Sequence, residues 1–185
     1  MEKEVLNEIN IKLRASIAVT TQNLQVSYEI ENRSKEDIYV FDAMFRLEES
    51  PVIDSSLVYT VIENDLLTLF RGVLRIPEGL QVEAPDIPFA RLLPTGGTHK
   101  SLIDAPAPLR FRHPYEWNDR EEIRSTRKIR LQIGYVAAKD VNPRPKAKIV
   151  GQREVYYIEY RQVIDVQHFL ETSAQNGKMQ ISVQP

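Results

Sequence analysis

The chain contains no cysteine, which excludes disulfide bonds, thiolate catalysis and every zinc site with sulfur ligands. It also lacks a long hydrophobic run, so no segment can span a bilayer and we expect no membrane insertion. Its first residues, MEKEVLNEINIKL, lack the apolar stretch of a signal peptide. A cytoplasmic protein and the mature form of an exported protein both fit these absences.

A strong net charge is missing as well. The chain has 24 Lys and Arg against 26 Asp and Glu, and the formal net charge of −2 neither requires nor excludes a polyanionic partner. The distribution is uneven, because residues 1–99 contain 9 basic and 16 acidic residues whereas residues 100–161 contain 14 and 8. Such asymmetry can create a basic face, but pairing between the two segments within one fold is the simpler interpretation.

Helical signals are scarce too, since no heptads, internal repeats or amphipathic helix of three turns can be found. A chain of 185 residues can bury roughly 70% of its unfolded surface, so it needs neither disulfide nor metal for stability. We therefore predict a single β-sandwich domain over residues 1–185. Loose termini are considered at residues 1–8 and 178–185, and the alternative for residues 178–183 is a final short strand.

Alternating strands are what the sequence does contain. Apolar side chains recur at every second position from Leu24 to Ile30, the pattern of a strand with one buried face. Polar residues 32–37 predict a turn, after which a second strand begins. The same reasoning predicts strands at residues 9–19, 24–31, 38–41, 45–47, 57–62, 66–76, 89–93, 98–103, 109–112, 128–138 and 156–170, the last with a bulge or bend near Gln162.

This pattern predicts an all-β fold, an antiparallel β-sandwich of Greek-key type, with a β-barrel as the alternative. Strands 9–19 and 24–31 should form a hairpin, as should 57–62 and 66–76. The strand–turn–strand at 24–41, together with LLPTGG, a strand and the proline-rich crossing at 105–108, resembles immunoglobulin-like and fibronectin-like sandwiches at the level of the fold. The resemblance lacks the Cys–Trp–Cys hallmark of antibody domains.

Catalytic and metal-binding patterns are weak. The segment 94–101 has Pro94 and His99 where a phosphate-binding loop needs glycine, so a turn is the better interpretation. His99, Ser101 and Asp104 are close in sequence but lack the strand-to-helix geometry of a nucleophile elbow. The three histidines are too far apart in sequence to predict a metal site. We expect no catalytic residue, no metal ligand and no cofactor.

Basic residues offer the best candidate site. Residues 139–153 are predicted to form a long exposed loop, and such loops on rigid β scaffolds often carry binding residues. The candidate contacts for a partner or an anion are Arg144, Lys146, Lys148 and Arg153 in this loop, with Arg110, Arg112 and Arg130 elsewhere.

The resulting functional hypothesis is a non-enzymatic binding or assembly module. A protein partner or a homo-oligomer is the favoured form, with nucleic acid less expected. The first alternative is a binder of an anionic ligand, nucleic acid or acidic glycan through the basic residues, whose affinity should fall steeply with salt. The second is a carbohydrate-active or other enzyme whose site converges only in three dimensions.

Overall fold

Strands form most of the chain in a computed structural model that describes residues 10–117 and 120–184. The only helices in this part are a 3-10 turn at Ala138–Asp140 and the single-turn helix α1 at Tyr160–Val163. The strands are β1 Ile11–Val19, β2 Asn23–Asn32, β3 Ile38–Ala43, β4 Phe45–Leu47, β5 Pro51–Ile53, β6 Tyr59–Glu63, β7 Leu66–Arg71, β8 Phe89–Leu93, β9 Thr98–Pro106, β10 Leu109–Arg110, β11 Glu122–Ala137, β12 Ala147–Val150, β13 Arg153–Tyr156, β14 His168–Glu171 and β15 Gln175–Val183.

The first sheet has the order β1-β2-β9, and all its strands are antiparallel. The predicted hairpin of β1 and β2 is confirmed, with Ile11 opposite Asn32 and Val19 opposite Leu24. The alternating apolar positions of β2 are buried, as the period of two predicts. Its polar positions face outward, where Glu29 pairs with Arg14 and Lys100.

The second sheet is built around β11 and has the order β10-β15-β11-β3-β8-β13-β12. Strand β11 also pairs with β14 and, in parallel, with β7, which forms the second predicted hairpin with β6. A register shift between Thr126 and Lys128 interrupts its pairing with β15. Side chains from both sheets form the main core, and the sheets do not close into a barrel, so the fold is a β-sandwich.

The prediction of one continuous strand over residues 156–170 is wrong. Strand β13 ends at Tyr156, α1 follows, and β14 begins at His168. The cause is a capping box, in which the Glu159 carboxylate accepts from the backbone of Gln162 and the Gln162 side chain accepts from Glu159 N–H. The bend expected near Gln162 is therefore a turn of helix.

One further expectation needs correction. Residues 139–153 are not one long loop, because Ala147–Val150 pairs with Arg153–Tyr156 in a hairpin whose turn places Gly151 at φ +62°. Of the two alternatives for residues 178–183, the final strand is confirmed, since these residues belong to β15 and bury Met179, Ile181 and Val183. Residues 1–8 and Pro185 lie outside the described residues. In the part of the chain described, no helix is long and apolar enough to cross a membrane.

Candidate functional site

A pocket of about 540 Å³ lies where β9 ends and β10 begins. Strand β4 contributes Arg46, and residues 56–58 before β6 line another wall. The remaining wall is β10 with the segment that follows it, through Trp117. Both Arg110 and Arg112, predicted from the sequence as contacts, therefore line one cavity.

Aromatic rings recur at every second position from residue 111 to residue 117, and Phe111, His113 and Trp117 line this pocket. The rings of Phe111 and His113 stack with centroids 6.4 Å apart, and His113 meets Tyr115 edge to face at 6.3 Å. Tyr115 is buried, whereas Trp117 is 74% exposed. A turn at Pro114 and Tyr115 divides this segment, which ends on the exposed indole. The spacing of the aromatic residues can be read in FRHPYEW, but the cavity beside them cannot.

The three guanidinium groups of the pocket differ in their partners. Arg46 Nε lies 2.7 Å from Asp54 Oδ2, so its charge is largely matched. Arg112 lies over the Tyr59 ring at 6.0 Å with Nη2 4.0 Å from Asp86, and its buried Nε has no hydrogen-bond partner. Arg110 is exposed and has no ion pair within the described residues. Arg110 is therefore the cation most available to a ligand.

His113 supplies a ring rather than a charge. Tyr115 N–H donates to His113 Nδ1 at 3.3 Å, so the neutral imidazole carries its proton on Nε2, 3.5 Å from Glu116 Oε1. Burial lowers the pKa of His113, and the Glu116 charge opposes this only in part. The imidazole is consequently neutral at pH 7.

The predicted contacts between residues 144 and 153 lie elsewhere. All four are exposed on the β12–β13 hairpin or just before it, and none has an ion pair in the described part of the chain. Lys148 Nζ lies 5.8 Å from the centroid of the Tyr157 ring. None of Arg144, Lys146, Lys148 and Arg153 lines the pocket of Arg110 and Arg112.

Arg130 occupies a third location. Its Nε donates to Thr68 Oγ1 at 2.9 Å, and Nη1 lies 3.5 Å from Glu171 Oε2. It lines a separate pocket that also contains Phe70 and Phe169. The seven predicted basic residues thus fall into three places, of which only the Arg110–Arg112 pair shares a pocket.

His99 pairs with a residue that sequence proximity did not suggest. Its Nε2 lies 2.5 Å from Asp42 Oδ2, whereas Asp104 accepts a hydrogen bond from Asn23 at 3.4 Å. Asp42 also accepts from Tyr28 O–H at 3.1 Å and from Arg91 Nε at 3.0 Å. No signal of local spacing could have found this cluster, because its members come from separate strands.

Burial and charge act against each other at Asp42. Burial alone would raise the pKa of this carboxyl. The hydrogen bond and charge of His99, with the charges of Arg91 and Arg71, outweigh burial and lower the pKa to about 2. Asp42 is therefore ionised at any physiological pH.

No group of three or more His, Asp or Glu side chains is placed to hold a metal ion within residues 10–117 and 120–184. Comparison of the chain with protein-family models, with curated proteins and with solved structures gave no match.

Proposed function

We propose that this chain is a non-enzymatic β-sandwich binding module that docks an acidic segment of a partner protein in the Arg110–Trp117 pocket. The immunoglobulin-like character of the sandwich belongs to the same proposal. Modules of that architecture present their binding residues where strands end and loops begin.

The observation that carries the proposal is the meeting of Arg110 and Trp117 in one cavity. Arg110 has no ion pair within the described residues, and Trp117 is 74% exposed. Arginine and tryptophan dominate the energetic centres of protein interfaces, because each supplies a large contact area with a polar group at its end. A partner that covers both would bury the indole and match the guanidinium with a carboxylate.

Charge explains why the docked segment should be acidic. Arg110 and Arg112 both present guanidinium groups, whereas His113 is neutral at pH 7 and Arg46 is already paired with Asp54. Glu116 also lines the pocket and repels an acidic group. An acidic side chain of the partner should therefore contact Arg110. Apolar residues next to it in the partner's sequence should pack against Phe111 and Trp117.

The placement of the basic residues favours a protein over a nucleic acid. A polyanion needs a continuous basic path that neutralises several phosphates together. Here the predicted basic residues divide between the pocket, the β12–β13 hairpin and the surroundings of Arg130, which is already paired with Glu171. One concave pocket with few free cations suits a short peptide segment better.

The test selects phage-displayed random peptides on the wild-type protein, with counter-selection on Arg110→Gln. The selected peptide is then synthesised and titrated while the emission of Trp117, the only tryptophan in the chain, is recorded. We expect Asp- and Glu-rich peptides, a blue shift of the emission, and binding weakened at least about tenfold in Arg110→Gln, or about 1.4 kcal/mol.

Lys148→Gln is the matched control, because it removes the same charge from an exposed position on the hairpin and should retain wild-type affinity. Selection of neutral or basic peptides, or equal losses in the two variants, would contradict the proposal. Saturable binding of heparin or single-stranded DNA with a steep salt dependence would instead favour the anionic-ligand alternative. Trp117 emission that shifts with protein concentration alone would identify a second copy of the chain as the occupant.

A further inference from the structure

A second pocket, of about 360 Å³, lies beside the Asp42 cluster and shares no residue with the Arg110–Trp117 pocket. Arg91 and His99 line it, and the opposite side is formed by Glu154 and Tyr156 from β13. Arg91 and His99 are each about four-fifths buried, with side-chain exposures of 18% and 20%. The wall of the pocket therefore contains two polar side chains, Arg91 and His99, that are largely shielded from water.

The cluster behind this pocket carries more positive than negative charge. Asp42 already accepts from Arg91, His99 and Tyr28. Arg71, 1% exposed, adds a second guanidinium by donating to the Tyr28 hydroxyl at 2.9 Å. One carboxylate thus faces two guanidinium groups, and desolvated excess charge is costly unless a counter-ion joins it.

The protein's own carboxylate in the pocket does not supply that counter-ion. Glu154 is exposed and accepts a hydrogen bond from Tyr156 O–H at 2.7 Å. No ion pair joins Glu154 to Arg91 in the described residues. The place beside Arg91 is therefore open to an external anion.

The unused donors of Arg91 point to the chemistry of that anion. Only Nε of Arg91 is engaged, and its two Nη groups have no hydrogen-bond partner among the described residues. A guanidinium with free Nη groups binds the paired oxygens of a carboxylate or phosphate in a fork. The ring of His99 adds a second nitrogen, because its Nε2 is held by Asp42 and Nδ1 has no partner in the same residues.

We propose that the pocket beside Arg91 and His99 binds the oxyanion group, carboxylate or phosphate, of a small ligand. The two Nη groups of Arg91 donate hydrogen bonds to two oxygens of the group. Hydrogen bonds to Asp42 fix the positions of Arg91 and His99. The ring of His99 lines the same site. The site is independent of the proposed docking pocket, and either one can fail without the other.

The test titrates the wild-type protein with sodium acetate and, separately, with inorganic phosphate. Imidazole ¹⁵N signals of His99 and side-chain signals of Arg91 are followed by NMR at constant ionic strength. We expect a saturable shift of both residues with at least one anion. The preferred anion distinguishes a carboxylate ligand from a phosphate ligand.

Arg91→Lys keeps the charge but removes the fork, and it should weaken binding at least about tenfold. Arg110→Gln is the matched control and should leave the titration unchanged. The proposal is overturned by shifts that do not saturate with either anion, or by equal affinity in Arg91→Lys. The wild-type Arg91 signals decide the question even where that variant fails to fold, and a His99 signal that does not shift with either anion would remove His99 from the site.

Discussion

Asp42 Oδ2 and His99 Nε2 lie 2.5 Å apart, and this contact joins β3 of one sheet to β9 of the other. Tyr28 extends the connection, because it comes from β2 of the first sheet and bonds both Asp42 and Arg71 of the second. Polar side chains thus connect the two layers next to the hydrophobic main core. A cluster of this kind stabilises only while every member is present, since the loss of one leaves its partners buried and unmatched.

Asp42→Asn should therefore lower the free energy of unfolding by about 3–5 kcal/mol, because the buried guanidinium of Arg71 and that of Arg91 lose their carboxylate. Urea unfolding measured by circular dichroism gives the value. Asp104→Asn is the matched control at an exposed position of β9 and should change stability by less than about 0.5 kcal/mol. A loss in Asp42→Asn as small as that of the control would show that the cluster does not hold the sheets together.

Acid should release the same stabilisation in the wild-type protein. The pKa of Asp42 falls from its ordinary 3.8 to about 2 in the folded state, so its contribution is complete above about pH 4 and is lost as the pH falls through 2. The shift corresponds to about 2 kcal/mol. Urea midpoints measured along a pH series should show this step, and Asp42→Asn should lack it. An equal step in both proteins would assign the acid sensitivity to other carboxylates.

Gly134→Ala should destabilise the second sheet where β11 passes Gln167. A Cβ at this position would overlap Gln167 Oε1 and lie 3.1 Å from the Gly72 Cα. Gln167 would then lose its pair of hydrogen bonds to Val73, in which Oε1 accepts from N–H at 2.9 Å and Nε2 donates to the carbonyl at 2.9 Å. We expect a loss of about 2–3 kcal/mol in urea unfolding.

Gly177→Ala is the control for that substitution, because its nearest neighbour is the end of the Ile129 side chain at 3.1 Å, which can move. Its cost should stay below about 1 kcal/mol, since alanine also restricts the unfolded chain. Equal costs at the two positions would contradict the role assigned to Gln167.

Arg112→Gln and Arg110→Gln should differ in their effect on folding. Arg112 packs over the Tyr59 ring and buries its Nε, so its loss should cost about 1–2 kcal/mol. Arg110 is exposed, and its replacement should change stability by less than about 0.5 kcal/mol. Thermal unfolding of both variants checks the difference. A large loss of stability in Arg110→Gln would mean that this residue supports the fold, and the docking test would then need Arg110→Lys.

Alternation in sequence predicted the strands whose one face is buried, and it succeeded best at β1 and β2. The same pattern predicted most of β11, although this strand begins at Glu122 rather than at Lys128. It failed at residues 156–170, because a single helical turn between two short strands leaves the spacing of apolar residues almost unchanged. Ile158 and Val163 are both buried there, in a second apolar cluster beneath α1.

The candidate site could be predicted only in part for a similar reason. Arg110 and Arg112 were predicted only as basic residues. The cavity that they line is closed by Arg46 and Leu57, which lie far away in the sequence. The partner of His99 lies 57 residues away on another sheet. Such contacts depend on how two sheets are stacked, which strand patterns alone do not specify.

The central position of β11 has a consequence for synthesis on the ribosome. One edge of β11 pairs with β3 and β7, which precede it in the chain. The other edge pairs with β14 and β15, which are synthesised after it. A nascent chain that has emerged only through β13 therefore carries a long bare strand edge, the kind of surface that recruits other chains. We expect the interval between translation of Ala137 and of Val183 to be the period in which this edge is most open to pairing with other chains.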